Sequence, residues 1–207
     1  MHPKKSGESK AEIPHKRLED LMKMDLVDGK SVAEITQIWC EYHVQKEVIA
    51  AVIPTEVYER QLESAKKYPI FIFPIPRSQG FEFMMLQFAA NTVHFTPLLC
   101  YQVSIHYTNF FNIFSTFIFK VHKENAPECL NMVHYTEFKE KGIILMRGEF
   151  DTKVLTSQEA RCLANQLQLY YTQNDADKLQ ILETFTKKPE DFKHMDVIKE
   201  LENLQLT

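Results

Sequence analysis

Hydrophobic residues recur at helical spacing near both ends of the chain. Leucine and methionine residues three and four positions apart predict a first helix that ends near Asp28, before Gly29. Ser31 and Glu34 have the spacing of a capping box, in which each side chain accepts a hydrogen bond from the other residue's amide, and they predict a second helix. A second capping box at Thr156 predicts a long helix in the C-terminal part. Two shorter helices are predicted after it, at 175–185 and 194–204.

A short apolar run follows the second predicted helix. Its sequence, VIAAVIP at 48–54, predicts a buried strand because strands covered on both sides carry continuous rather than alternating apolar residues. Thr55 follows Pro54 and is placed to cap a third helix that ends near Lys67.

Five further strands are predicted from apolar runs that are separated by turn residues. Pro74 and Pro76 have no backbone N–H to donate, so they indicate a strand end or an edge strand. The five segments are 69–77, 81–88, 93–102, 129–138 and 142–150. The order of elements predicts an α+β fold, with a central, mostly antiparallel sheet of about six strands and with helices from both ends of the chain packing on it.

Both faces of the predicted strand at 81–88 are apolar, and two interpretations stay open. The strand is either covered on both sides or presents an adaptable, methionine-rich face to a partner. Under the second interpretation Met84, Leu86 and Phe88, or the residues of the opposite face, contact the partner. Arg77 at the preceding turn is a candidate to bind a carboxylate of the partner, and a structural arginine at a hairpin tip is the alternative.

Length, charge and cysteine spacing limit the number of domains and the classes of partner that this chain can have. The chain has 207 residues, with 24 Lys and Arg against 28 Asp and Glu, and no long block of like charge. We therefore expect a single domain at 16–207 after a disordered polar lead at 1–15, and no nucleic-acid surface. The four cysteines form no CxxC pair, which favours reduced, mostly buried thiols in a reducing compartment.

No motif for catalysis, a cofactor or a metal is found. The sequence contains no GxGxxG, GxxxxGK[ST], HExxH or GxSxG pattern, so we predict a protein that is not an enzyme. Cys40 and His43 have the spacing to share a metal on one helix, but a packed cysteine beside a surface histidine is the favoured interpretation. Two alternatives stay open: an oligomerising structural subunit, and a small-molecule enzyme or ligand-binding domain with a dispersed site that includes Arg77, Glu82 and His94.

Several segments resemble the mitochondrial ATP synthase assembly factor 1 family over residues 21–204. They are FIFPIPRSQGFEFMMLQF, VHFTPLLCYQ, HYTEFKEKGIILMRGEFD, EARCLANQLQLYY and LETFTKKPEDFKHMDVIKEL. The resemblance implies a non-catalytic chaperone of the mitochondrial matrix, without a cofactor. It implies that the chaperone binds the free catalytic beta subunit of ATP synthase and releases it as the alpha subunit arrives. We further expect a monomer that does not insert into membranes.

Residues 103–120, VSIHYTNFFNIFSTFIFK, depart from that family pattern. The apolar part is shorter than the roughly 20 residues that a membrane-spanning helix needs, and polar residues interrupt it. Val-Ser corresponds to the codons that open an intron, the phenylalanine-rich run to a thymine-rich tract, and the final lysine to a closing AAG. We therefore interpret the segment as a retained, in-frame intron, with a genuine loop as the alternative. Met1 is also a doubtful start, since a matrix protein of this family would begin with a cleavable presequence.

Overall fold

The computed structural model describes residues 16–98 and 128–205. The predictions for the lead at 1–15, for the strand beyond Leu98 and for the insert at 103–120 lie outside these residues. The strands are β1 Val48–Pro54, β2 Ile70–Arg77, β3 Gly80–Ala89, β4 Thr92–Pro97, β5 Leu130–Tyr135 and β6 Ile143–Phe150. The helices are α1 Leu18–Leu21, α2 Met24–Val27, α3 Val32–His43, α4 Thr55–Lys67, α5 Ser157–Thr172, α6 Ala176–Lys187 and α7 His194–Gln205, with a 3-10 turn at Lys139–Lys141.

The six strands form one antiparallel sheet in the order β1-β6-β5-β4-β3-β2. Strands β2 to β6 follow one another as a meander, and β1 adds beside the last of them. The α+β prediction, with helices before and after the strands, is confirmed. Pro74 and Pro76 lie in β2, which is an edge of the sheet, as the missing donors predicted.

One side of the sheet, called here the core face, carries the main hydrophobic core. Alternate residues of the strands point to it, and helices α4 to α7 contribute the opposing side chains. Each fully buried side chain of this kind stabilises the fold by roughly 1.5–3 kcal/mol. The core includes Phe71, Phe73, Met84, Leu86, Phe95, Met132 and Met146 from the strands and Leu163, Leu167, Tyr170, Leu182 and Val197 from the helices.

The opposite side, called here the polar face, carries His94 of β4, Asn131 of β5, and Arg147 and Glu149 of β6. Helices α1 to α3 cover the part of this side that is formed by β1, the start of β6 and the end of β5. Their contact cluster consists of Leu18, Met22, Val27, Ile35 and Trp39 with Tyr135, Phe138, Ile143 and Leu145. The remaining polar side chains of β5 and β6 lie beyond the edge of that cluster.

The edge at β2 is covered by the C-terminal helices. Val197 of α7 packs into the core-face cluster, whereas Ile198 packs with Ile72 and Phe83 on the other side of the sheet. Helix α7 therefore wraps around the edge strand and shields it, as edge strands require in proteins that do not associate through their sheets. Lys178 of α6 joins the two last helices, since its Nζ lies 2.9 Å from a carboxylate oxygen of Glu200.

The two capping boxes are confirmed. The Ser31 amide donates to Glu34 at 2.9 Å and the Glu34 amide donates to the Ser31 hydroxyl at 3.3 Å. Thr156 and Glu159 repeat the arrangement at 2.7 and 3.2 Å. Both boxes are local, so the spacing alone predicted them.

Two details of the helix predictions are wrong. The first helix is not continuous, because Met22 adopts an extended backbone and divides it into α1 and α2. The break lets Leu18 and Val27 both reach the contact cluster on the polar face from two single turns. Thr55 does not cap α4: it is the first helical residue, and its hydroxyl donates instead to the carbonyl of Lys139 at 3.4 Å.

Candidate functional site

The predicted carboxylate-binding arginine, Arg77, is fully engaged within the chain. Its Nε donates to Glu82 at 2.8 Å, its Nη2 donates to the carbonyl of Val154 at 3.0 Å, and its Nη1 donates to Glu159. Burial alone would raise the pKa of the Glu159 carboxyl, but the Thr156 amide and hydroxyl together with Arg77 lower it. Arg77 therefore ties the β2–β3 hairpin to the start of α5, which is the structural role that the sequence left as the alternative.

The three apolar candidates of β3 lie on the core face. Met84 and Leu86 are 0% exposed, and the Met84 sulfur lies 3.8 Å from the Cys129 thiol. Phe88 is half-buried, with its ring 4.9 Å from that of Tyr171. In this conformation a partner can reach only Phe88 of the three, because helices cover the other two.

The opposite side of β3 reaches the surface near the hairpin end. Phe81 is 38% exposed and Met195, in the first turn of α7, is 58% exposed. The two elements lie against each other, since the ring of Phe83 is 6.1 Å from that of His194. Phe81, the half-buried Met85 and Met195 are called here the hairpin surface.

The dispersed small-molecule site predicted from Arg77, Glu82 and His94 does not assemble. Arg77 and Glu82 form an ion pair at 2.7 Å at the hairpin. His94 belongs to the polar face, where its Nδ1 lies 2.9 Å from a carboxylate oxygen of Glu128. The sheet separates the pair from the histidine, so the three side chains share no pocket.

The Cys40–His43 pair is arranged in the opposite way to the prediction. Cys40 is exposed, whereas His43 is buried with its Nδ1 2.7 Å from the carbonyl of Trp39. Burial lowers the pKa of His43, and the nearby charge of Arg147 lowers it further. The two side chains do not face one ligand. Within residues 16–98 and 128–205, no three His, Cys, Asp or Glu side chains come together as metal ligands would.

His134 is a buried histidine on the core face. Its ring stacks on that of Tyr58 at 5.0 Å, and its Nδ1 lies 3.2 Å from the carbonyl of Asn91. Burial lowers the pKa of His134 to about 4, so the ring is neutral at physiological pH. These two contacts hold the ring between α4 and the β3–β4 turn.

A pocket of about 300 Å³ opens on the polar face between β5, β6 and Lys16, which lies two positions before α1. It is lined by Lys16, Glu128, Cys129, Leu130, Asn131, Val133, Tyr135, Arg147, Glu149, Phe150 and Asp151. The Tyr135 hydroxyl closes one side by donating to the carbonyl of Lys16 at 2.8 Å.

Sequence reasoning missed this pocket. The available signal was the presence of Arg147 and Glu149 two positions apart in an otherwise apolar strand, which places both on one side of the sheet. The partner residues follow from the strand register, since Val133 lies opposite Arg147 and Asn131 lies opposite Glu149. That register was not predicted.

The described helices also bear on membrane association. Among residues 16–98 and 128–205, no helix is both long and apolar enough to cross a bilayer.

Comparison with known proteins places the chain among relatives of one kind. The sequence model of the ATP11 protein family matches residues 1–198. A protein from Danio rerio named ATP synthase mitochondrial F1 complex assembly factor 1 is 39% identical over 188 residues, which cover 90% of this chain and 56% of the relative. The Homo sapiens protein of the same name is 36% identical over 188 residues, with 90% and 52% covered.

A more distant relative has the same kind of name. The protein from Schizosaccharomyces pombe named Protein atp11, mitochondrial, is 27% identical over 205 residues, which cover 89% of this chain and 65% of the relative. The chain spans about half the length of the animal relatives that it matches.

Proposed function

Since this chain belongs to the ATP11 protein family, we propose that it is an assembly factor for the F1 sector of mitochondrial ATP synthase. The match of residues 1–198 carries the proposal, and the names of the Danio rerio and Homo sapiens relatives supply the F1 complex as the object of assembly.

The client in this proposal is the unassembled beta subunit in the mitochondrial matrix. A free subunit of an obligate oligomer exposes a large apolar interface that promotes aggregation. A chaperone that covers this interface reversibly, as a monomer, keeps the subunit soluble until the alpha subunit replaces it.

The hairpin surface is the apolar contact that we assign to this client. Phe81 and Met195 are exposed on adjoining elements, and Met85 continues the surface toward the centre of β3. Methionine and phenylalanine side chains adapt to a partner and supply contact area without a demanding geometry. Phe88 is a second, separate contact candidate, whereas Arg77 acts by holding the hairpin to α5.

The test is a titration of the purified chain into free beta subunit, with Phe81→Ser and Met195→Ser as variants. We expect each variant to bind about 10-fold more weakly because a truncated anchor residue loses contact area at the centre of an interface. Val44→Ser is the matched control, since Val44 is a 79% exposed apolar residue at the other edge of the sheet.

Two results would contradict the proposal in different ways. Absence of any complex between the wild-type chain and beta would reject the client. A complex that Phe81→Ser and Met195→Ser leave unchanged would reject the hairpin surface and retain the client. Light scattering of beta with and without the chain then reports whether binding suppresses aggregation.

A further inference from the structure

The pocket on the polar face contains a buried cation whose hydrogen bonding is incomplete. Arg147 is 6% exposed, and its Nη2 lies 2.7 Å from a carboxylate oxygen of Glu149. The Nε of Arg147 is buried and has no hydrogen-bond partner among the described residues. A buried donor without an acceptor is unfavourable, so the site favours any occupant that brings an acceptor atom.

The acidic side chains of the same wall already have donors. Glu128 accepts a hydrogen bond from the Asn131 amide at 3.3 Å and lies 2.9 Å from Nδ1 of His94. Asp151 accepts from the Lys153 amide at 2.9 Å. The carboxylates of this wall therefore already have donors, whereas the Nε of Arg147 has no described acceptor.

The charge of the wall selects among acceptors. The carboxylates are Glu128, Glu149 and Asp151, and the cations are Lys16 and Arg147, so the acids are in excess by one. A free anion, such as phosphate or a small carboxylate, would be repelled by this excess. A neutral acceptor that is accompanied by a positive charge fits both requirements.

We propose that this pocket binds a basic peptide segment of the client. A main-chain carbonyl of the segment accepts a hydrogen bond from Nε of Arg147, and a neighbouring lysine or arginine side chain lies against Glu149 and Asp151. The inference rests on the proposed assembly function, and it adds a polar, charge-selective contact that is separate from the hairpin surface. The volume of about 300 Å³ admits part of a peptide, not a folded element.

Binding to free beta subunit at low and at physiological salt tests the charge requirement. The variants Glu149→Gln and Asp151→Asn remove charge and retain an oxygen acceptor for their present partners. We expect each to weaken binding about 10-fold at low salt and to reduce its salt dependence, because screened attraction supplies part of the affinity. Glu63→Gln is the matched control, since Glu63 is an exposed acid on α4, away from the polar face.

Nuclear magnetic resonance of the full chain supplies a second readout, which does not need the client. The Nε–H signal of Arg147 is identified by its absence in Arg147→Lys. The probes are two acetylated and amidated tripeptides, Gly-Lys-Gly and Gly-Glu-Gly. We expect the Nε–H signal to shift with the lysine peptide and not with the glutamate peptide.

The outcomes separate this inference from the proposed function. If wild type binds beta and the two pocket variants bind equally well, the pocket does not contact the client. If the lysine peptide leaves the Nε–H signal unmoved, or the glutamate peptide shifts it as strongly, the pocket has no preference for basic peptides. If the lysine peptide shifts the signal but beta does not bind, the pocket stands and the proposed client is wrong.

Discussion

The two faces of the sheet are built in different ways. The core face is continuous from β1 to β2, and four helices fill it with apolar and aromatic side chains. The polar face is covered at one end by α1 to α3 and at the other by the small cluster around Ile72 and Phe83. Between those two covers lie Asn131, Arg147 and Glu149.

This difference assigns stability mainly to the core face and binding mainly to the polar face. Side chains of the core face meet their packing partners within the chain, so changes there should act on the free energy of unfolding. The polar groups between the two covers of the other face include a donor without a described acceptor. Changes there should act on binding and leave stability nearly constant. Four predictions test this contrast.

The largest effect is expected from Leu86→Ala in the core face. Leu86 is 0% exposed, and replacing it leaves a cavity that the surrounding helices fill only partly. We expect the free energy of unfolding to fall by about 3 kcal/mol, measured by urea denaturation. Phe81→Ala on the same strand is the control, since Phe81 is exposed and should change stability far less. A small loss at Leu86 would mean that the core face is loosely packed.

Gly148→Ala should overfill the core face where β6 lies between β1 and β5. A Cβ at this position would lie 2.5 Å from Cγ1 and 2.9 Å from Cδ1 of Ile49. We expect a loss of roughly 2 kcal/mol in the free energy of unfolding, because Ile49 must shift within a packed cluster. Gly29→Ala is the control, since a Cβ there meets nothing within 4 Å. Equal stability of the two variants would contradict the close approach.

The buried ring of His134 makes the core face sensitive to acid. Its pKa is about 4 in the folded chain against 6.5 for an exposed histidine, so the unfolded chain binds the proton more readily. Stability is full above pH 6.5 and decreases as the pH falls toward 4. We expect a loss of about 2 kcal/mol between pH 8 and pH 5 from this residue.

The measurement for His134 compares urea unfolding of the wild type and His134→Gln across that pH range. His43 contributes in the same direction, because its pKa is also lowered by burial, so the variant should reduce the pH dependence without abolishing it. An unchanged pH profile in His134→Gln would show that the ring is accessible to protons in the folded state.

The smallest effect is expected from Arg147→Met on the polar face. The substitution removes an incompletely bonded cation and retains most of the apolar stem, while Glu149 is 45% exposed at its side chain and can be hydrated. We expect a change of less than about 1 kcal/mol in the free energy of unfolding, since apolar replacements of buried charges are often nearly neutral. A loss comparable with that of Leu86→Ala would place Arg147 among the residues that hold the fold together.

The features that could be predicted from the sequence are those whose cause is local. The capping box of Ser31 and Glu34 spans four residues, and the edge position of β2 follows from two missing donors at Pro74 and Pro76. Each depends on backbone chemistry that no distant contact overrides, so pattern and structure agree.

The candidate site depended on long-range contacts, and the sequence pattern did not contain them. Arg77 binds Glu159, which lies more than eighty positions later, so its role required the position of α5. The face of β3 that helices cover was also undetermined, because both of its faces are apolar and either could have been the interior. For the same reason, Met84 and Leu86 were candidates for a surface that they do not reach.

The position of β1 has a consequence for the order in which the chain folds. Ile49 pairs across the sheet with Gly148, about a hundred residues later, whereas β2, β3 and β4 pair with immediate neighbours. During synthesis the apolar β1 segment leaves the ribosome long before β6 exists to receive it. The first strand of the sheet to be made is thus among the last to pair. In the nascent protein its apolar side chains stay without their β6 partners until synthesis has passed β6.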